Sequence, residues 1–401
     1  MQTQLADFIK SSPRGQQAEA ILRHCVHCGF CNASCPTYQL LGDELDGPRG
    51  RIYLIKQVLE GNRATRASQL HLDRCLTCRA CETSCPSGVE YGRLLDIGRN
   101  LVEQQVPRRW HQRLLRQLML FCLPFPQRFA GLLVMARLCR PLLPARVKRK
   151  LPLLQAAGAR PAKRHQRRML LLEGCVQPAL APRINAAAAK VLDQLGISVV
   201  DLPSTGCCGA LAYHLNDQQG GLDSMRRLID AWWPAVENGV EAIVLTASGC
   251  GVTVKEYGVL LQHDPSYARK AAHISGLAKD IGEILLAEDL TAFTAAPRRI
   301  AFHSPCTLQH GQRLSGEVER LLIKLGFKLT QVADGHLCCG SAGSYALLQP
   351  ELSGLLQQAK IQALQADQPE LIATANIGCW LQLQEKSDLP VVHWIELLVG
   401  Q

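Results

Sequence analysis

The amino-acid sequence predicts an α+β multidomain protein, in which an α-helical N-terminal domain is followed by two pseudo-symmetric α/β halves. The first quarter of the 401 residues contains two cysteine runs of identical spacing, set among segments with helical periodicity. The second half contains an internal repeat in which four cysteines and their surroundings recur. We expect a helical domain at 1–103, a basic amphipathic helical linker at 104–168, the first repeat at 169–290 and the second repeat at 291–401.

The two cysteine runs, at residues 25–36 and 75–86, both follow the pattern C-x2-C-x2-C-x3-C-P. In two-cluster bacterial ferredoxins this spacing holds cubane iron–sulfur clusters, and the fourth cysteine of each run binds the cluster of the other run. Zinc sites usually show two CxxC pairs or cysteine–histidine mixtures, and neither run has that form. The spacing therefore predicts two [4Fe–4S] clusters and a chain that carries single electrons. The expected ligands are Cys25, Cys28, Cys31 and Cys85 for the first cluster, and Cys75, Cys78, Cys81 and Cys35 for the second.

The N-terminal segment and the distribution of apolar residues favour cysteines that stay reduced. The N-terminal segment MQTQLADFIK is polar and has no apolar stretch of the kind found in signal peptides. No window reaches 18 apolar residues, so we expect no transmembrane helix. A cytoplasmic location would keep thiols reduced, which argues against structural disulfides for the 18 cysteines and leaves them free to bind metal.

Helical spacing is found between and around the two runs. Ile52, Ile55, Val58 and Leu59 keep the period of one helix face, and Gly61 suits the end of that helix. The offset of 50 residues between the runs is too long for a minimal ferredoxin. We therefore expect a ferredoxin-type domain in which the clusters lie between short helices.

The positive charge of the chain is concentrated in one segment. The formal net charge is +10, and residues 104–172 contain 16 Lys and Arg but no Asp or Glu. A basic amphipathic helix can lie on an anionic membrane, dock against a partner subunit, or cover the protein core, and these alternatives stay open. A nucleic-acid role would need a recognition module, and the sequence shows none. The predicted apolar face of this helix consists of Trp110, Leu114, Leu115, Leu118 and Met119.

The internal repeat places two copies of a Cys-Cys-Gly (CCG) motif in equivalent positions. The offset between the copies is 131 residues for three of the four cysteine positions and 129 for the last. Each copy reads as strand, helix, strand, CCG turn, helix, strand and cysteine turn, which predicts a parallel sheet covered by helices. The recurring cysteines are Cys175, Cys207, Cys208 and Cys250 in the first repeat, and Cys306, Cys338, Cys339 and Cys379 in the second.

Several roles remain open for these repeated cysteines. They could bind additional iron–sulfur clusters, bind zinc or act as thiol redox pairs, or form a structural remnant without metal, because soft thiolates suit both zinc and iron–sulfur centres. His303 and His310 flank Cys306 and could tune a cluster by hydrogen bonding, or could be ordinary histidines of a turn and a helix. The chain has no GxGxxG in strand–helix context and no P-loop, so we expect any flavin to be bound by another subunit.

Three segments carry a resemblance to a known family: 25–31 (CVHCGFC), 36–51 (PTYQLLGDELDGPRGR) and 338–343 (CCGSAG). Together with the paired CCG repeats, they resemble the iron–sulfur subunits of bacterial oxidoreductases, and most closely those of glycolate oxidase. The resemblance implies a subunit without catalytic residues of its own. It would take electrons from FAD-bearing partners that oxidise glycolate to glyoxylate, and pass them toward a membrane quinone at the inner face of the cytoplasmic membrane.

The same resemblance keeps other members of this group in view. These are the corresponding subunits of lactate or glycerol-3-phosphate oxidising complexes, and a catalytic subunit like that of heterodisulfide reductases. In the heterodisulfide reductases the last element of each repeat is CxxC, whereas this chain has the single cysteines Cys250 and Cys379 at these places. One thiol is therefore missing from each repeat relative to that pattern.

Overall fold

The computed structural model describes residues 1–142, 148, 151–152, 154–200, 202, 206–293 and 297–399. Parts of the predicted basic linker, at 143–147, 149–150 and 153, lie outside the described residues. The chain forms two compact units. One contains Met1–Arg116 with His336–Leu356, and the other contains Gln117–Gly335 with Gln357–Gln401. The boundaries expected at 103, 168 and 290 stay a prediction.

The first unit is built from short helices, as the sequence predicts. The predicted helix around Ile52 is α5, which begins with Pro48 at its first position, where the missing N–H costs nothing. The apolar sides of α2, α5 and α8 share one core, in which Leu22, Ile55 and Leu94 are fully buried. The helices in the first 122 residues are α1 (Asp7–Lys10), α2 (Pro13–His24), α3 (Phe30–Ala33), α4 (Pro36–Leu41), α5 (Pro48–Leu59), α6 (Arg66–Asp73), α7 (Ala80–Thr83), α8 (Tyr91–Gln105) and α9 (Trp110–Cys122), with a 3₁₀ turn at Glu44–Asp46.

The second unit contains two parallel four-stranded sheets of the same topology. The first sheet has the order β2-β1-β3-β4, with strands β1 (Arg167–Leu172), β2 (Ile197–Val200), β3 (Ile243–Leu245) and β4 (Ala278–Asp280). The second sheet has the order β6-β5-β7-β8, with strands β5 (Arg299–His303), β6 (Lys328–Leu329), β7 (Leu371–Thr374) and β8 (Val391–His393). The repeat predicted from the cysteines is therefore a repeat of the fold.

The fourth strand of each sheet is absent from the predicted pattern. Strands β4 and β8 have only three residues each, and each runs into a short helix with a capping box. Asp280 caps the helix after β4 and His393 caps the 3₁₀ helix after β8, so these buried residues occupy equivalent places in the two repeats.

The remaining helices lie between these strands or precede them. No single helix among the described residues is long and apolar enough to cross a membrane, while α9 and α10 together reach the required length and composition but bend by 110° at their break. The helices that follow α9 in the described residues are α10 (Pro126–Leu138), Gln177–Leu180, Pro182–Gln194, Ala210–His214, Gln218–Glu237, Ser248–Lys255, Tyr257–Leu260, Ala268–Leu277, Ile281–Leu286, Glu317–Lys324, Tyr345–Leu348, Pro350–Gln365 and Ile377–Gln384, with a π-helical turn at Thr307–Gly311 and 3₁₀ turns at Arg140–Leu142 and Trp394–Leu398.

Helix α9 leaves most of its predicted apolar face exposed. Trp110, Leu114 and Leu118 are exposed, at 77%, 58% and 56% of their surface, whereas Met119 is buried. Leu118 and Met119 point about 100° apart, so they lie toward opposite edges of one broad apolar face. Helix α9 therefore packs with Met119 inward and leaves an apolar stripe exposed.

Candidate metal centres

The two cysteine runs of the first unit adopt the same curled backbone. His27 and Gly29 in the first run have left-handed φ values of 61° and 89°, and Thr77 and Arg79 occupy the same positions of the second run with φ of 53° and 60°. Each curl ends in a four-residue helix, α3 or α7. Non-glycine residues are rarely left-handed, and such strain persists where the surroundings impose it. The shared conformation turns the first three thiols of each run toward a common centre.

Cys25, Cys28, Cys31 and Cys85 line one cavity in the first unit. This cavity encloses about 430 Å³ of empty space, part of it open to solvent. Burial, together with the neighbouring thiols of Cys25 and Cys85, raises the pKa of the Cys31 thiol to about 11. The structure thus brings three cysteines of the first run together with the last cysteine of the second run.

Cys75, Cys78, Cys81 and Cys35 form the complementary set. Burial and the neighbouring thiols of Cys78, Cys75 and Cys35 raise the pKa of the Cys81 thiol well above its usual value. Thiols that hold their protons so strongly in a buried group become thiolates when a bound metal supplies positive charge. The Thr77 N–H donates to Cys75 Sγ at 3.4 Å.

The donor sets fit cubane clusters better than single metal ions. Each set offers four sulfur atoms, the ligand type of [4Fe–4S] clusters. In a tetrahedral zinc site the thiolate sulfurs lie about 3.8 Å apart, because each Zn–S bond is about 2.3 Å. Among the described residues, no three sulfurs of either set lie within 4.8 Å of one another. The wider spread suits a cluster with four irons.

A buried arginine lies beside the set of Cys35 and Cys75. Arg51 is fully buried, donates to the Thr37 hydroxyl at 3.1 Å and pairs with Asp46 at 3.4 Å. Burial alone would lower the pKa of the Arg51 guanidinium, but Cys75, Tyr91, Cys35 and Asp46 together raise it above its usual value. Arg51 therefore remains a positive charge next to this set.

A second arginine fixes the loop that carries Cys75. Arg99 on α8 is buried and donates to the carbonyl oxygens of Leu72 at 2.8 Å and of Cys75 at 2.8 Å. Its position 24 residues after Cys75 gave no local signal of this role. The two arginines offset the negative charge that four thiolates and a cluster bring to this part of the core.

The first CCG repeat also brings four thiols together. Cys175 and Cys208 hydrogen-bond to Cys207, which lowers the pKa of the Cys207 thiol well below its usual value and raises the pKa of the other two. Cys208 also contacts Cys250, in the first turn of the helix Ser248–Lys255. The four thiols form a contiguous chain within the second unit.

The backbone conformation and packing explain why each CCG motif ends in glycine. Gly209 and Gly340 have left-handed φ values of 89° and 83°, and each donates its N–H at 3.4 Å to the first cysteine of its motif. A Cβ at either position would lie 2.6 Å from a carbonyl oxygen, that of Gly221 or that of Ser353. A side chain at either glycine would collide with the backbone of the following segment.

The cysteines of the second repeat are buried at equivalent places. Cys306 follows β5, Cys379 lies in the first turn of the helix Ile377–Gln384, and Cys338 and Cys339 precede Gly340. Cys306 and Cys379 belong to the second unit, whereas Cys338 and Cys339 belong to the first. Of the two histidines flanking Cys306, His303 is buried and His310 is half-buried.

Tyr345 is a residue that sequence reasoning missed. Its hydroxyl donates to the carbonyl oxygen of Arg74 at 3.1 Å, next to Cys75, an expected cluster ligand, and its ring is buried. Burial raises the pKa of Tyr345 above its usual value, as do Cys75 and Cys338. Tyr345 therefore connects the segment that carries the second CCG motif to a cysteine loop of the first unit, over a separation of 271 residues that no local pattern announces.

Comparison with known proteins identifies both parts of this architecture. Residues 21–89 match the family described as a 4Fe-4S dicluster domain, and residues 169–255 and 300–384 match the cysteine-rich domain family. The chain is 56% identical over 400 residues to the glycolate oxidase iron-sulfur subunit of Escherichia coli strain K12, which covers 99% of this chain and 98% of that protein. It belongs to the family of glycolate oxidase iron–sulfur subunits.

Two more distant matches are a relative and a solved structure. The probable glycolate oxidase iron-sulfur subunit of Bacillus subtilis strain 168 is 31% identical, with 98% of this chain and 96% of that protein covered. The crystal structure of a hypothetical protein from Helicobacter pylori has a TM-score of 0.53 at 12% identity, covering 97% of this chain and 72% of that one, and supports the fold alone.

The family confirms the central sequence prediction. This chain is therefore an iron–sulfur electron-transfer subunit of an oxidoreductase complex. Its cofactors are [4Fe–4S] clusters, and the assignment of individual cysteines to each cluster stays a prediction.

Proposed function

We propose that this chain relays electrons from flavin-bearing partner subunits of a glycolate oxidase to a membrane quinone. The observation that carries the proposal is the presence of two complete four-thiol sets within one helical unit. Bound [4Fe–4S] clusters accept and release one electron at a time, whereas a reduced flavin holds two. Two adjacent one-electron centres suit a chain that accepts such a pair in single steps.

The residues of this chain set the environment of each centre. Cys25, Cys28, Cys31 and Cys85 bind one cluster, and Cys35, Cys75, Cys78 and Cys81 bind the other. Arg51 places a positive charge beside the second set, and Arg99 fixes the backbone of the loop that carries Cys75. Hydrogen bonds and charge around cluster sulfurs are the means by which proteins tune reduction potentials.

The substrate and the flavin belong to partner subunits in this proposal. Glycolate is favoured because the similar proteins are named for glycolate oxidase. The FAD-bearing partners would oxidise it to glyoxylate, and this chain would supply no catalytic residue to that step.

The test uses the full complex with Cys78→Ser in this chain. Reduction of the flavin by glycolate should persist, while electron flow to a quinone analogue should fall to background. Cys122→Ser is the matched control, because Cys122 is a partly buried free cysteine outside every proposed ligand set. Loss of flavin reduction in Cys78→Ser, or unchanged flow to the quinone, would contradict the relay.

The first CCG repeat is proposed to hold a further iron–sulfur centre. Its four thiols form a contiguous chain within the second unit. Two [4Fe–4S] clusters account for about eight irons per chain. We expect more than this in anaerobically purified protein, and a return toward eight in Cys207→Ser. A parent count of about eight would contradict this part of the proposal.

We further propose that the protein is cytoplasmic and binds peripherally to the inner face of the cytoplasmic membrane. Phe121 on α9 and Leu138 on α10 expose 58% and 72% of their surface, among several other exposed apolar side chains of these helices. Residues 104–142 contain no acidic residue. Exposed apolar side chains with nearby arginines suit an anionic lipid surface, which adds electrostatic attraction to apolar burial.

Arginine contacts in this region support a surface role. Arg128 stacks over the rings of Phe121 and Phe125, with 4.2 Å from its guanidinium carbon to each ring centroid. Arg109 and Arg113 have no carboxylate partner among the described residues, whereas Arg108 is paired with Asp73. Positive charge thus remains available beside exposed apolar side chains.

Vesicle sedimentation of the purified full chain tests this binding. We expect binding to vesicles that contain phosphatidylglycerol, and a loss of at least about tenfold for Phe121→Ser with Leu138→Ser, because two apolar side chains no longer enter the lipid. Ile323→Ser is the matched control, since Ile323 is 59% exposed elsewhere. Equal binding of parent and double variant would contradict the proposal. Loss of flavin-subunit binding in the variant, without vesicle binding by the parent, would instead assign this surface to a partner protein.

A further inference from the structure

The imidazole of His303 distinguishes the second repeat from the first. His303 ends β5 three residues before Cys306, and Leu172 ends β1 three residues before Cys175. Both side chains are buried. The second repeat therefore has a nitrogen donor where the first repeat has an ordinary core residue.

The described surroundings of His303 leave one of its ring nitrogens without a hydrogen bond. Its Nε2 is buried without a hydrogen-bond partner among the residues that the structure describes. Buried polar atoms are nearly always paired, so a histidine that served only for packing would pay a desolvation cost that leucine avoids. Imidazole nitrogens are common metal ligands, and one that makes no hydrogen bond is available to a metal ion.

A thiol lies close to this imidazole within the second unit. A ring nitrogen of His303 lies within 4.8 Å of Cys379 Sγ. Asn376 Nδ2 contacts the same sulfur at 3.6 Å. In a tetrahedral site with metal–nitrogen and metal–sulfur bonds of about 2.0 and 2.3 Å, the two donors lie about 3.5 Å apart. A small side-chain adjustment would bring His303 and Cys379 to that separation.

We propose that His303 is a nitrogen ligand of a metal ion that Cys379 also binds. The two repeats then hold chemically different centres, with sulfur donors in the first and mixed nitrogen and sulfur donors in the second. Zinc and iron are the metals that accept such a mixed set. The inference rests on the proposal that the repeats bind metal, and it adds the donor set of the second one.

The test gives the second repeat the residue of the first, by His303→Leu in the full chain. Iron and zinc per chain are counted after anaerobic purification, and X-ray absorption at both metal edges reports imidazole scattering. We expect scattering from imidazole at one edge in the parent, and its loss in His303→Leu together with at least tenfold weaker retention of that metal against a chelator. His303→Cys should retain the metal without the imidazole signal, and His263→Leu, at an exposed histidine, should match the parent.

The outcomes separate this inference from the one on which it rests. A parent chain with about eight irons and no zinc would mean that the repeats bind no metal. Additional metal whose amount and spectrum are the same in the parent and in His303→Leu would leave metal in the repeats but overturn the role of His303. Absence of imidazole scattering at both edges in the parent would also overturn it. If His303→Leu does not fold, unchanged imidazole scattering in His303→Cys would likewise overturn the role of His303.

Discussion

Replacing Arg51 by glutamine removes a buried positive charge beside one cluster site only. Arg51 donates to the Thr37 hydroxyl at 3.1 Å, and that hydroxyl contacts Cys35 Sγ at 3.3 Å. The guanidinium nitrogen is therefore within about 6.5 Å of the Cys35 sulfur. Because Arg51 is fully buried, solvent does not screen this charge as it would at the surface.

The expected size of the effect follows from this distance. At an effective dielectric constant of about 20, a unit charge at about 6.5 Å contributes about 2.5 kcal/mol. For a one-electron couple this energy corresponds to about 110 mV. Without the positive charge an added electron is held less strongly, so the reduction potential of the cluster proposed at Cys35, Cys75, Cys78 and Cys81 should fall by about 100 mV.

An EPR-monitored redox titration of the purified chain measures this shift. Arg51→Lys keeps the charge and should retain most of the potential. Arg49→Gln is the matched control, because Arg49 is partly exposed, pairs with Glu44 and lies near the other thiol set. A shift below about 30 mV in Arg51→Gln, or an equal shift of both clusters, would refute the reasoning.

Three further predictions concern stability, each measured by urea unfolding. Tyr345→Phe should lower the unfolding free energy by about 1 kcal/mol, because it loses the hydrogen bond of the Tyr345 hydroxyl. The control Tyr53→Phe, at an exposed tyrosine, should change it by less than about 0.5 kcal/mol. Equal effects would contradict the role of the Tyr345 hydroxyl. Gly209→Ala should cost more than Gly196→Ala, since both have positive φ but only the Cβ at 209 meets a carbonyl oxygen; equal costs would contradict the packing argument. Burial raises the pKa of the Asp280 carboxyl to about 7. The folded chain keeps this proton while the unfolded chain releases it near pH 4, so this group makes stability fall as the pH rises from about 4 to about 7. Asp280→Asn should reduce that fall, and an unchanged pH dependence would contradict it.

Sequence reasoning succeeded where chemistry fixes local spacing. The cysteine runs predicted the dicluster region because a cubane imposes a short repeated spacing on its ligands. The CCG repeats predicted two parallel sheets because strands, turns and cysteines recurred in register. Helix α5 was predicted from Ile52, Ile55, Val58 and Leu59, whose periodicity matches the buried side of the helix.

The remaining features depend on contacts between distant parts of the chain. Strand β4 has the sequence Ala-Lys-Asp, which is too short and too polar to show a strand pattern, and it forms because β3 offers a parallel edge. Tyr345 and Arg99 contact the Cys75 loop from positions far along the chain. The exposure of the stripe on α9 depends on the side on which Met119 packs, and periodicity alone cannot choose that side.

The relay itself is tested most directly by rapid freeze-quench EPR of the assembled complex after mixing with glycolate and a quinone analogue. We expect both [4Fe–4S] clusters of this chain to become reduced after the flavin and before the quinone analogue. Reduction of the quinone analogue while both clusters stay oxidised would contradict it.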